Sequence, residues 1–71
     1  MPITEAEIDN IFTYHAPKGD QPERYSNIRG AARELAHVII KNTKPSADQS
    51  AAIRLLREAV MTANASIALE P

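Results

Sequence analysis

The chain has 71 residues, no cysteine and a net charge of −1 at pH 7. This length allows one domain, residues 1–71, whose core is too small for comfortable stability alone, and the lack of cysteine excludes a disulfide framework or a thiolate metal site. A near-neutral charge argues against a protein that mainly coats nucleic acid. We therefore expect several copies to associate and supplement the core.

Thr4 marks the start of the first predicted helix, 4–14. The stretch Thr-Glu-Ala-Glu is a capping box, in which the Thr4 hydroxyl and the Glu7 carboxylate satisfy free backbone N–H groups. The apolar residues of this helix, Phe12 among them, are predicted to face inward. The proline and glycine in HAPKGDQ then end the helix.

Two longer helices are predicted at 21–42 and 46–68, the second starting from a capping box at Ser46. Because the connection between them is short, they must fold back on each other. The predicted class is all-α: a short N-terminal helix plus a long antiparallel helical hairpin. The apolar seams have the spacing of packed helices. They comprise Tyr25, Ile28, Ala32, Leu35 and Ile39, and Ile53, Leu56, Val60, Ala63 and Ile67.

The third predicted helix is also apolar away from its seam, at alanines and at Leu55 and Met61. Either the first helix of the same chain or a second copy could cover this surface. Since the first helix is too short to cover all of it, we expect assembly into a compact helical homo-oligomer.

Charge is unevenly distributed. Residues 1–23 carry five acids and one lysine, whereas residues 24–57 carry seven basic side chains against two acids. This pattern predicts a local cationic surface for an anionic partner of modest size. No apolar stretch is long enough to span a membrane, and the acidic start does not resemble a signal peptide, so a cytoplasmic location is expected.

Catalytic and metal-binding motifs are missing from the sequence. His15 and His37 lie on different predicted elements, and neither has a carboxylate at a metal-ligand spacing. There is no Gly-x-Ser-x-Gly motif, and two glycines are too few for a phosphate-binding loop. The sequence predicts no metal, no cofactor and no enzymatic activity.

The antiparallel geometry places Tyr25 level with Asn64, and Arg29 level with Val60. Aromatic, guanidinium, amide and hydroxyl groups together are what a nucleotide needs for stacking, phosphate binding and base recognition. Such groups gather at the open end of the predicted hairpin: Tyr14, His15, Arg24, Tyr25 and Arg29 near Met61, Thr62, Asn64 and Ser66.

Simpler interpretations exist for several of these residues. Phe12 and Tyr25 occupy core-facing positions, where packing is the more common role. Arg29 and Arg33 could form a solvated helix face, as charged helix residues usually do. Tyr14 differs, because a ring at the end of a helix has no seam to join.

The stretches FTYHAPKGDQPERYSNIRGAARELAHVII, KPSADQSAAIRLLREAV and MTANASIALE resemble the phage anti-CBASS cyclic-oligonucleotide sponges, which share a helical-hairpin domain with some anti-Thoeris sponges. The resemblance runs from about Ile8 onward and is specific in YHAP and MTANASIA. It implies a homohexamer in the cytoplasm of the infected bacterial host. Such a protein binds cyclic dinucleotides, for example 3′,3′-cGAMP, between subunits without cleaving them, and so prevents activation of the CBASS effector. Some members also bind cyclic trinucleotides at separate sites.

The resemblance also implies site residues. The family's dinucleotide pocket uses a tyrosine near the end of the first helix, matched by Tyr14, and a basic residue near the start of the second, matched by Arg29 or Arg24. The full candidate set for this pocket is Tyr14, His15, Arg24, Arg29 and Arg33. The candidates for a trinucleotide site are Arg57, Thr62 and Asn64.

Two other functions stay open at the level of sequence. A helical-hairpin dimer could bind folded RNA through Arg24, Arg29 and Arg33, in which case salt would weaken binding steeply. Alternatively, an interaction protein could present its spare apolar face to a helix of a host protein.

Overall fold

The structure, a computed structural model, describes residues 2–71. It contains three α-helices and, within those residues, no strand: α1 (Glu5–Ile11), α2 (Gln21–Asn42) and α3 (Ala47–Ala68). Helices α2 and α3 pack against each other as a hairpin, whereas α1 packs against neither of them. The all-α helical hairpin is therefore confirmed, and assembly of several copies stays a prediction.

Helix α1 is shorter than the predicted 4–14. It begins as expected, because the Thr4 hydroxyl accepts a hydrogen bond from the Glu7 N–H at 3.1 Å. It ends at Ile11 because side chains replace backbone donors in its last turn. The Thr13 hydroxyl donates to Asp9 O, and His15 Nε2 lies 2.7 Å from Asn10 O, so that this ring nitrogen donates to the carbonyl.

The hairpin turn is closed by side chains from both helices. Asn42 Nδ2 and the Thr43 hydroxyl donate to carbonyls of the last turn of α2, at 2.8 and 2.7 Å. The Ser46 hydroxyl caps α3 by accepting from the Gln49 N–H at 3.1 Å, and Gln49 Nε2 donates to the Thr43 hydroxyl at 3.0 Å. These bonds fix the antiparallel course of the two long helices.

A single chain has almost no core. Within the described residues, Ile67 is the one buried hydrophobic side chain, and Phe12, predicted to pack inward, is 83% exposed. That prediction is wrong for the single chain because α1 does not contact the hairpin. The accessible surface is 5922 Å², against roughly 4,400 Å² expected for a compact monomer of this mass.

The shape of the chain agrees with this excess of surface. The radius of gyration is 15.5 Å, whereas a compact domain of this length would have about 11 Å. Among the described residues, no helix combines the length and the apolar character that crossing a membrane requires.

Candidate functional site

Three arginines from both long helices surround one groove on the hairpin. Arg29 and Arg33 of α2 and Arg57 of α3 line it, and its volume is about 250 Å³. We call it the arginine groove. Its remaining lining is apolar and comprises Ala32, Ala36, Ile53, Leu56 and Val60. Arg29 and Val60 meet here, as the predicted register of the hairpin requires.

The arginines of this groove are available to a ligand. Within residues 2–71, none of the three forms a salt bridge with a carboxylate, and all three are exposed. A guanidinium can bind phosphate through two parallel hydrogen bonds, and an apolar floor can pack against the face of a base. The groove therefore combines the two interactions that a nucleotide phosphate and its base need.

A second groove lies on the other side of the hairpin and is apolar. It shares Ala32, Leu56 and Val60 with the arginine groove, so these residues lie between the two helices. Ala32 lies between the two sets of α2 residues around the helix axis. Those that line the arginine groove lie on one side of Ala32, and those that line the apolar groove lie on the other. The other residues of the apolar groove are Ile28, Ala31, Leu35, Ala59 and Ala63.

A third groove, the open-end groove, has a volume of about 410 Å³ near the start of α2. It continues the apolar groove, with which it shares Ile28 and Ala63. Its other lining residues are Arg24, Asn27, Ser66 and Ile67. A cation, an amide and a hydroxyl thus surround an apolar floor.

Arg24 in this groove already has a carboxylate partner. Its Nη1 donates to Glu70 Oε1 at 2.8 Å, and its Nη2 donates to Glu70 Oε2. Asp20 Oδ1 lies 3.5 Å from Nη1. The hydrogen bonds with Glu70 raise the pKa of Arg24 above its usual range, and the same bonds lower the pKa of Glu70.

Gln21 anchors the start of α2 to the end of α3. Its side chain is buried, with 4% exposure. Its Nε2 donates to Ile67 O at 3.0 Å, and its Oε1 accepts from the Lys18 N–H at 3.1 Å. Both ends of the amide are therefore satisfied, and one residue holds the connecting segment and the end of α3 together.

Tyr14 and His15 lie in the segment between α1 and α2 and line none of the three grooves. The Tyr14 ring is 84% exposed. The segment enters α2 through Gly19, whose φ of 57° is left-handed and favours glycine. Tyr14 is therefore a free ring, beyond the end of α1 rather than at its last turn.

The trinucleotide candidates are not all on one side of α3. Asn64 follows Arg57 by seven residues, which is close to two turns, so both lie on the same side of the helix. Asn64 Oδ1 is buried and has no hydrogen-bond partner within the described residues. Thr62 is exposed and lies about 140° around the helix from Arg57.

The structure thus regroups the predicted residues. Arg29 and Arg33 come together with Arg57, which the sequence had suggested for a separate site. Arg24 lies in a different groove, so no one groove of a single chain holds the three arginines of the RNA-binding alternative.

Sequence reasoning missed three residues of the open end: Gln21 as an anchor, Asn27 as a groove residue, and Glu70 as the partner of Arg24. The antiparallel geometry that places Tyr25 level with Asn64 also places Arg24 level with Ala65. Glu70 reaches Arg24 because the chain turns after α3, where the Leu69 and Glu70 N–H groups bond back to Ala65 O and Ile67 O.

A helical hairpin that offers arginines above an apolar floor belongs to the class of small binding proteins. Comparison with protein families specifies this class: the Acb2/Tad1 hairpin-domain model matches residues 4–68, and the chain belongs to this family. The family is that of the anti-CBASS and anti-Thoeris sponges, which bind their ligands rather than convert them. Neither a curated protein nor a solved structure matches the chain.

Proposed function

We propose that this protein is a phage anti-defence sponge that binds cyclic dinucleotides such as 3′,3′-cGAMP without cleaving them. It acts in the cytoplasm of the infected bacterial host, where sequestration prevents activation of the CBASS effector. The observation that carries this proposal is the arginine groove: Arg29, Arg33 and Arg57 lie over an apolar floor and have no carboxylate partner among residues 2–71. Membership of the sponge family supports the same ligand class.

The groove suits one half of such a ligand. Its volume of about 250 Å³ is below the roughly 300–1,000 Å³ of pockets that enclose a drug-sized molecule. A cyclic dinucleotide has two phosphates and two bases with approximate twofold symmetry. Two copies of the groove, related by a twofold axis, would supply one set of arginines for each phosphate. The complete site therefore lies between subunits in our proposal.

Assembly of several copies, a homohexamer in the form we propose, is supported by the surface of the single chain. The apolar groove includes Leu35, which is half-exposed, and Val38, Leu55 and Met61 are exposed as well. An accessible surface far above that of a compact monomer favours burial by further copies. Because the apolar and arginine grooves lie on opposite sides, one can be covered while the other stays open to ligand.

Tyr14 completes the proposed site by stacking on a base. Its ring is free of contacts that would hold it elsewhere, and its segment is held at Lys18 by the Gln21 amide. An aromatic ring on an anchored segment can close over a ligand in the groove of a neighbouring subunit. His15, next in sequence, donates to Asn10 O and would orient the segment rather than contact the ligand.

A cyclic trinucleotide could use the same side of α3. Asn64 Oδ1, buried and without a partner in the described chain, can accept a hydrogen bond from the amino group of a base. Arg57, two turns earlier on the same side, can bind a phosphate. Thr62 lies too far around the helix to join them within one chain and would serve from a neighbouring subunit.

The test is a calorimetric titration of 3′,3′-cGAMP into the double variant Arg29→Gln/Arg57→Gln. Loss of hydrogen bonds to charged groups should weaken binding at least about a hundredfold. The matched control is Arg54→Gln, which removes an exposed cation of α3 that does not line the groove. It should bind as the wild type does. Equal affinity of the double variant and the control would refute the proposed site.

A further inference from the structure

The open-end groove is larger than the arginine groove and has a comparable set of ligand-binding groups. At about 410 Å³ its volume falls within the roughly 300–1,000 Å³ range of small-molecule sites. Arg24 supplies a cation, while Asn27 and Ser66 supply an amide and a hydroxyl. Ile28, Ala63 and Ile67 supply an apolar floor. These are again the groups that a phosphate and a base require.

The two grooves differ in whether their arginines already have a carboxylate partner. Glu70 places its two carboxylate oxygens against the two terminal nitrogens of Arg24, with Nη1 to Oε1 at 2.8 Å. This parallel pair of hydrogen bonds is the arrangement that a guanidinium also forms with two phosphate oxygens. We propose that Glu70 is a built-in competitor, and that the open-end groove is a second nucleotide-phosphate site whose arginine Glu70 masks.

The pair is suited to displacement. Both side chains are 37% exposed, and ion pairs with this degree of solvent contact contribute little stability. Glu70 lies outside α3, so its side chain can rotate away without unwinding a helix. The phosphodiester of a cyclic nucleotide can then take its place on Arg24. Asp20, 3.5 Å from Arg24, remains beside the site and limits the affinity of the exposed arginine for an anion.

The groove keeps its shape when Glu70 leaves. Gln21 holds Ile67, one of the lining residues, through the bond from its Nε2 to Ile67 O, and this bond does not involve Glu70. Gln21 is buried, unlike the ion pair, so the anchor persists while the pair opens. Gln21 also lies close enough to Glu70 to help lower the pKa of its carboxylate, so the two residues are neighbours, but the bond from Gln21 to Ile67 O does not depend on Glu70.

The inference rests on the proposed function, because it takes the same ligand class. The test is a titration of 3′,3′-cGAMP into wild type and into three proteins whose arginine groove is disabled: Arg29→Gln/Arg57→Gln alone, the same protein with Glu70→Gln, and the same protein with Arg24→Gln/Glu70→Gln. Removing the competitor should strengthen binding about fivefold, the effect of one partly exposed ion pair. Arg24→Gln/Glu70→Gln should lose this gain in affinity. Glu58→Gln, the same charge change at an exposed position of α3, should leave affinity unchanged.

Three outcomes overturn the inference. Equal affinity with and without Glu70→Gln in the Arg29→Gln/Arg57→Gln protein does so and leaves the proposed function intact. A gain that persists without Arg24 shows a general effect of charge. No binding by wild type removes the proposed function and this inference together. If thermal melting shows that Glu70→Gln is unfolded, Glu70→Asp replaces it. Its side chain is one methylene group shorter, which should lengthen the hydrogen bonds to Arg24 and so also strengthen ligand binding.

Discussion

The two sides of the hairpin differ in the partners of their arginines. On one side, Arg29, Arg33 and Arg57 have no carboxylate partner in the described chain. On the other, an apolar groove leads to Arg24, which Glu70 holds with two hydrogen bonds. The same residue type is thus free to bind a ligand in one place and internally neutralised in the other. Net charge, which is near zero, does not reveal this division.

This division separates the two tasks that a small chain must combine. In our proposal the apolar surface serves association, which is supported by the single chain burying one hydrophobic side chain among its described residues. A cationic surface is needed for an anionic ligand. Because α2 and α3 form one layer, we expect association to use the side with the apolar groove and ligand binding to use the side with the arginine groove. A substitution on one side should therefore affect mainly the function of that side.

The largest expected effect, on assembly and folding, follows from introducing a charge into the apolar groove. Leu35→Glu should abolish assembly, and with it the folded state, because the hairpin has too little core of its own. Size-exclusion chromatography with light scattering and far-UV circular dichroism would show a small, largely unfolded species.

The control for this variant is Arg33→Glu, which introduces the same side chain on the arginine side. It should retain assembly and lose ligand. A folded Leu35→Glu monomer would contradict the proposed role of the apolar side.

Tyr14→Ala should produce the next largest effect. A ring that stacks on a base contributes about 1–3 kcal/mol, so affinity for 3′,3′-cGAMP should fall roughly 5- to 150-fold. Tyr14→Phe keeps the stacking face and should bind within about threefold of wild type. Phe12→Ala removes a ring of similar exposure on the same segment. If calorimetry gave the same loss for Phe12→Ala, Tyr14 would have no specific role.

Salt concentration should have a moderate effect on the affinity of the arginine groove for its ligand. A ligand with two phosphates should lose less than about tenfold in affinity between 50 and 200 mM salt, whereas a protein with six or more phosphate contacts loses about a thousandfold or more. Titrations at both salt concentrations, with 3′,3′-cGAMP and with a folded RNA, measure this. Tight, strongly salt-dependent RNA binding would favour the alternative of an RNA-binding dimer.

The smallest expected effect is the pH dependence of the stability that Glu70 contributes at the open end of the hairpin. Since the fold lowers the pKa of Glu70, the contribution of its carboxylate to stability is present above the unfolded value of 4.5 and is lost as pH falls through the lower folded value. Wild type should therefore melt slightly higher than Glu70→Gln at pH 7, and the difference should vanish well below pH 4.5. A difference that is constant with pH would mean that Glu70 stabilises by packing.

Much of the fold could be predicted because the residues that mark helix ends agree with the apolar spacing along the two long helices. The predicted helices 21–42 and 46–68 correspond to α2 and α3, whose ends are marked by Pro22, Ser46 and the polar turn. The first helix could not be delimited in this way. Its end depends on the Thr13 and His15 side chains reaching backward, which a periodic pattern does not indicate.

The candidate site was predicted in its residue types but not in its grouping. The predicted antiparallel geometry places Arg29 level with Val60, yet it does not say on which side of the hairpin each arginine lies. It also omits residues beyond the helices, so the partner of Arg24 was missed. Tyr14 is exposed, as predicted, whereas Phe12 is equally exposed because α1 packs against neither α2 nor α3.

The most direct test of the central claim is retention of intact ligand. The protein is dialysed to equilibrium against 3′,3′-cGAMP, recovered and denatured, and the released nucleotide is identified by chromatography and mass spectrometry. We expect wild type to release intact 3′,3′-cGAMP in stoichiometric amounts and Arg29→Gln/Arg57→Gln to release much less, since only the masked open-end groove remains. Release of linear dinucleotide would show an enzyme, and equal retention by the double variant would show that the arginine groove is not the site.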